Sequence, residues 1–117
     1  MSFCTRFLRG IKKLRIIDPI GYLDFLALLE SSSVVLTDSG GIQEESCSLR
    51  IPCVTIREST ERPETVQVGS NTVAGTKPNA ILNKVKTMVN VKRGWKNPFG
   101  ENVSRKSVDI IERELRL

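Results

Sequence analysis

Residues 33–45 read SVVLTDSGGIQEE, a continuously apolar β-branched run, then Asp-Ser-Gly-Gly, then a polar helical pattern. Few folds accommodate that order. A run that is apolar on both faces belongs to a buried parallel strand, and parallel strands need crossover connections, usually helices. The segment therefore reads as a βα unit with a tight turn at the carboxyl end of its strand. Two adjacent glycines let the backbone approach a ligand without a Cβ clash, and they permit positive φ where a turn requires it. The N–H groups of the first helical turn lack intrahelical partners and sit at the positive end of the helix dipole, which suits a diphosphate. Ser39 supplies a hydroxyl for that phosphate or for the helix cap. Glu45, one or two turns in, is a bidentate acceptor for two neighbouring ribose hydroxyls. A plainer reading stays open: an ordinary βα turn, with Glu44 and Glu45 only balancing the dipole.

The same alternation continues along the chain, which places it in the α/β class. Residues 14–17 are predicted to form a strand that Asp18-Pro19 ends, because a pre-proline residue avoids the helical region. Tyr22, Phe25, Leu26 and Leu29 fall at helical spacing and predict a helix over Tyr22–Glu30. Strands are predicted at 33–37, 52–56 and 71–75, and a short helix at 42–49. A helical turn is expected at 65–69. Pro78 suits the first turn of a helix whose buried stripe is Ile81, Val85 and Met88. A loop over 94–102 leads to a last helix at 104–115, with Val108, Ile111 and Leu115 on one face.

A second motif, REST-ERPE at 57–64, follows the next strand and should reach the same edge of the sheet. Arg62 offers a rigid fork of donors suited to phosphate, and Pro63 stiffens the loop. The competing reading pairs Arg62 with Glu58, Glu61 or Glu64 at the surface.

Composition narrows the function classes. The chain has 117 residues, enough for one small domain or a piece of a larger one. Its net charge of +5 suits an anionic partner, nucleic acid or nucleotide phosphate. Much of the excess is local, in Arg6, Arg9, Lys12, Lys13 and Arg15 and in Lys92, Arg93 and Lys96, which read as solvated faces. A single Trp and a single Tyr do not supply the interleaved aromatics of a nucleic-acid module. Cys4, Cys47 and Cys53 read as reduced thiols rather than a disulfide framework. With no histidine, zinc is not expected, and every triad that needs an imidazole is excluded. No apolar run approaches the roughly 18 residues of a membrane span, and the start has no signal-like apolar stretch, so a cytoplasmic location is expected.

Four ordered motifs carry a resemblance: IDPxxYLxF (17–25), LTDSGGIQEE (36–45), TERPE (60–64) and NPFG (97–100). Together, from about Leu14 onward, they resemble the non-hydrolysing UDP-N-acetylglucosamine 2-epimerases. The resemblance implies a partial Rossmann-like, doubly wound parallel sheet, the C-terminal half of a two-domain glycosyltransferase-B-type fold. Residues 1–117 would be the C-terminal part of the UDP-binding domain, with the N-terminal catalytic domain and its acid/base carboxylates outside the chain. Phe25 would lie against the uracil. Ser39, Gly40 and Gly41 would hold the diphosphate, Glu45 the ribose hydroxyls, and Arg62 would sit near the diphosphate. No catalytic residue, metal or NAD is implied here.

In the implied reaction a base removes the C2 proton of the sugar and UDP leaves, giving a glycal. UDP then adds back with the proton on the other face, yielding UDP-N-acetylmannosamine for surface polysaccharide. The chain departs from the family in lacking a nucleotide-holding histidine. It also carries Glu101-Asn102 where an acidic-glycine pair is usual, which bears on how the last helix docks.

The implied strand order is 3-2-1-4-5-6, of which the third, fourth, fifth and sixth lie in this chain. The third should then slide to pair with the fourth, or another chain should fill the gap. Association, with the N-terminal domain, a partner chain or a second copy, is expected over a free monomer. The rivals are the C-terminal domain of a UDP-sugar glycosyltransferase, which would lack TERPE in this place, and a split-gene subunit or remnant that binds nucleotide without catalysis. A basic nucleic-acid module ranks last.

Overall fold

A computed structural model describes residues 10–100 and 102–115. Its centre is a three-stranded parallel sheet in the order β1 (Val35–Thr37), β2 (Cys53–Thr55), β3 (Asn71–Val73). The register aligns Val35 with Cys53 and Asn71, and Thr37 with Thr55 and Val73. β2 is buried along its whole length, as its apolar run requires between two neighbours and covering helices. Helix α2 (Gly40–Ser48) connects β1 to β2, and α3 (Pro63–Gln67) connects β2 to β3. Both crossovers therefore leave the carboxyl edge of the sheet, where residues 38–39 and 56–62 form the loops.

Helix α1 (Tyr22–Glu30) precedes the sheet, α4 (Pro78–Met88) follows it, and α5 (Val103–Leu115) closes the chain. Each predicted helix is present, with ends shifted by a few residues. Pro63 and Pro78 open α3 and α4, where a missing N–H costs nothing. α4 buries Met88 and half-buries Ile81 and Val85, the stripe read from the sequence.

The core is small and mixed: Leu29, Ile51, Val54, Met88 and Trp95 lie with Cys47 and Cys53, which are free thiols. Burial pushes the Cys53 thiol up to about 11. Trp95 docks the segment after α4 onto α2 by donating its indole N–H to the Cys47 carbonyl at 2.9 Å.

Two expectations need correction. Residues 14–17 do not form a strand and do not slide against β1. They carry no strand pairing among the described residues, and Leu14, Ile16 and Ile17 are exposed. A strand exists only as a hydrogen-bonded pair, and the described sheet ends at β1. The last helix forms but buries none of its described residues. Val108, Ile111 and Leu115 share its apolar face, and all three are exposed. Asn102 caps that helix from φ +55°, a left-handed conformation in which Asn is better tolerated than most residues. It stands where the resemblance implies glycine. Glu101, Cys4 and the first basic residues, Arg6 and Arg9, lie outside the described residues.

Candidate nucleotide-binding site

The turn after β1 is built by its own side chains. Thr37 Oγ1 accepts from the Ser39 N–H at 3.0 Å, which turns the chain out of the strand. Ser39 then caps α2, its Oγ accepting from the Ile42 N–H at 3.4 Å. That contact uses an oxygen lone pair and leaves the hydroxyl proton free to donate, so the cap and phosphate roles are compatible. Gly40 and Gly41 are the first residues of the helix. Among the described residues, neither glycine N–H has a partner. Neither glycine has positive φ, so the permissive backbone allowed for in the sequence is not what the turn uses. What glycine provides is space: a Cβ built on Gly40 would meet Arg62 Cζ at 3.4 Å and Nη2 at 3.5 Å.

Arg62 reaches that position from the loop after β2. Its Nε donates to Glu44 Oε1 at 2.6 Å, and Nη1 donates to the Glu61 carbonyl at 3.1 Å. Among the described residues, Nη2 donates to none and lies over Gly40. The surface pairing considered from the sequence is mostly displaced. Glu61 stays marginal at 4.0 Å, and Glu58 sits against Gly75 and Thr76. The main partner is Glu44, which the sequence suggested only as a dipole charge. Two N–H groups, a hydroxyl and a guanidinium edge thus converge on one spot at the carboxyl edge of the sheet.

Glu45, the next residue of α2, pairs instead with α1. Tyr22 on α1 donates its phenol to Glu45 Oε1 at 2.8 Å, and that hydrogen bond raises the phenol above its ordinary range. Tyr22, Leu26, Glu44, Glu45, Phe99 and Val103 line a cleft of about 630 Å³. Phe99 enters it from the NPFG turn, where Gly100 adopts φ +82° and its N–H reaches the Asn97 carbonyl. Phe25 does not open into this cleft. One helical turn from Tyr22, its half-buried side chain lines a separate depression of about 400 Å³ with Ile17, Asp18, Pro19, Ile20 and Leu28. The structure thus groups Ser39, Gly40, Gly41 and Arg62, sets Glu45 next to the Glu44 that holds Arg62, and leaves Phe25 in a separate depression.

Beneath the loop lies a buried polar network that sequence reasoning missed. Thr60 donates to Gln43 Oε1, and the Asn71 amide donates to the same oxygen at 3.1 Å and to Thr65 Oγ1 at 3.1 Å. Thr55 donates to Asn71 Oδ1 at 2.7 Å. Gln43 and Asn71 are 1% and 3% exposed. The available signal was α2 itself: its inward positions at helical spacing are Gln43, Ser46 and Cys47, and a polar inner face asks for polar partners.

A family model for UDP-N-acetylglucosamine 2-epimerase matches residues 3–112. The chain belongs to this family. It is 52% identical over 97 residues to the UDP-N-acetylglucosamine 2-epimerase of Methanocaldococcus jannaschii, covering 83% of this chain and 26% of that protein. It is 53% identical over 95 residues to the Methanococcus maripaludis epimerase, again covering 26% of the relative and 81% of this chain. The chain therefore spans about a quarter of the length of these curated relatives.

Solved structures agree in fold. The M. jannaschii epimerase in complex with UDP-GlcNAc and UDP superposes with a TM-score of 0.86 at 46% identity, over 94% of this chain and 30% of that one. S. aureus MnaA, solved with UDP, gives 0.88 at 31% identity, over 97% and 33%. The α/β fold of this chain thus superposes on about a third of each of these epimerase-family structures.

Proposed function

We propose that this chain is the UDP-binding portion of a UDP-N-acetylglucosamine 2-epimerase. The observation that carries the reading is the convergence of the free Gly40 and Gly41 N–H groups, the Ser39 hydroxyl and Arg62 Nη2 at the start of α2. In that place they are suited to a diphosphate. Glu45 takes the ribose hydroxyls, exchanging its Tyr22 contact for them. Phe25 takes the uracil in its own depression, which Ile17, Asp18, Pro19 and Ile20 also line. Relatives with bound UDP and UDP-GlcNAc support the ligand class.

In the reaction, the C1–O bond of the sugar breaks and its electron pair leaves with UDP, so negative charge grows on the diphosphate. Donors already aimed at that group stabilise the charge without reorganisation. They also retain UDP beside the glycal until it adds back. That is this portion's share of the chemistry. The acid/base groups come from the remaining three quarters of such an enzyme, supplied by the same polypeptide or by a partner chain.

Titration of the chain with UDP, followed by amide NMR shifts, tests this reading. The account predicts shifts at Ser39, Gly40, Gly41 and Arg62 with an affinity of about 0.1–1 mM, as half a cleft would give. Unmoved amides at these residues would reject the site.

A further inference from the structure

Both main-chain polar groups of Arg62 terminate in the same buried amide pair. Its N–H donates to Thr60 Oγ1 at 3.0 Å, and that hydroxyl donates onward to Gln43 Oε1. Its carbonyl accepts from Thr65 Oγ1 at 2.6 Å, and Thr65 in turn accepts from Asn71 Nδ2. Asn71 also donates to Gln43 Oε1, which closes the circuit. Each hydroxyl uses its proton in one direction and a lone pair in the other, so the donor pattern is consistent around the ring. Arg62 itself has φ −125° and ψ 63°, outside the helical and extended regions, and as the N-cap residue of α3 its carbonyl also accepts from the Thr65 N–H at 3.1 Å. The ring spans α2, the loop after β2, α3 and β3, and all of it lies on the protein side of Arg62.

We infer that Thr60 and Thr65, held by the Gln43–Asn71 amide pair, are positioning residues that set the Arg62 guanidinium over the Gly40–Gly41 turn for an anionic diphosphate. None of the four needs to touch the ligand. Gln43 sits on the buried face of α2, and Asn71 starts β3 under the loop. The inference rests on the diphosphate reading of the turn. Its specific content is that hydroxyl chemistry at position 60, not merely volume, determines where the guanidinium stands. Among the described residues the buried Gln43 Nε2 has no partner. The circuit thus leaves one donor unsatisfied, which an apolar side chain of the same length would avoid.

The test compares Thr60→Val, which keeps the shape and deletes the hydroxyl, with Thr60→Ser, which keeps the hydroxyl. Two readouts are taken on the full 117-residue chain: UDP affinity by titration, and the Nε–Hε resonance of Arg62. That resonance should be dispersed and slow to exchange while Nε is bound to Glu44. Thr60→Val is expected to lose the dispersed resonance and bind UDP about five- to tenfold more weakly, whereas Thr60→Ser keeps both within about twofold. Gln43→Met repeats the test without relying on one variant folding, and it should behave as Thr60→Val does.

A purely structural role would lower the melting temperature of Thr60→Val and Gln43→Met while leaving resonance and affinity unchanged, and that result overturns the inference. If the unsubstituted chain does not bind UDP, the diphosphate reading falls by itself. The Arg62 resonance then still decides whether the ring positions the guanidinium.

Discussion

Arg62 Nε meets Glu44 Oε1 at 2.6 Å across the first turns of α2, and the rest of the guanidinium lies over Gly40. Both partners are partly exposed, with side-chain exposures of 32% and 40%, so the pair contributes at most about 1 kcal/mol to stability. Its consequence is orientation. With Nε and Nη1 engaged, the remaining edge of the fork is the one presented to the turn.

Gly40→Ala separates space from backbone conformation. Gly40 does not need positive φ, and its new methyl group would touch only the flexible end of Arg62 at 3.4 Å. Replacing glycine in a helix is favourable by up to about 1 kcal/mol, less in the first turn. The variant should melt no lower than the parent and yet bind UDP more weakly, because the methyl occupies the approach to the two free N–H groups. Thermal melting and UDP titration on the same sample check this. Undiminished affinity would show that the turn does not receive the phosphates.

Tyr22 is the only tyrosine in the chain, so its ionisation can be followed directly. Its hydrogen bond to Glu45 favours the neutral phenol and raises it above the ordinary value of 10.0. The contact is therefore complete below the ordinary tyrosine range and is lost as pH rises through the raised folded value. Phenolate absorbance should show a midpoint above 10.0 that falls back in Glu45→Gln. An identical midpoint in the two proteins would mean that Tyr22 and Glu45 do not pair in solution.

The exposed apolar surface predicts association. Among the described residues one edge of β1 is unpaired, residues 14–17 present Leu14, Ile16 and Ile17 to solvent, and Leu23 on α1 is 79% exposed. Open edges and apolar patches of this kind recruit other chains. Sedimentation at micromolar concentration should show concentration-dependent self-association. A cooperatively melting monomer would show that the surface closes on itself.

The 117 residues by themselves should not epimerise UDP-GlcNAc. The converging groups of the site are suited to holding a diphosphate. Removal of the sugar C2 proton needs a base beside the sugar, which this reading assigns to the rest of the enzyme. NMR of the sugar after incubation with substrate checks this, and any UDP-N-acetylmannosamine above background contradicts it.

What could be read from the sequence was what neighbouring residues decide. Tyr22, Phe25, Leu26 and Leu29 announced α1 because a helix is a local pattern. Residues 33–37, 52–56 and 71–75 announced strands because each is a short run centred on a β-branched valine. Residues 14–17 carry the same local signal and form no strand, because pairing depends on a neighbour that local composition does not encode. The anion turn was legible because strand, Ser-Gly-Gly and helix are contiguous. The Gln43–Asn71 contact joins residues 28 positions apart, a distance over which no local pattern signals a buried pair. The Arg62 contact of Glu44 was not legible for a related reason: its partner arrives from another crossover.

The central claim is that the phosphates of UDP sit on the Gly40–Gly41 turn under Arg62, and phosphorus NMR addresses it most directly. Adding the chain to UDP should shift and broaden both phosphorus resonances, and Arg62→Ala should abolish the effect while the protein stays folded. If the uridine protons respond but the phosphorus signals do not, or if Arg62→Ala behaves as the parent, the turn is not a diphosphate site.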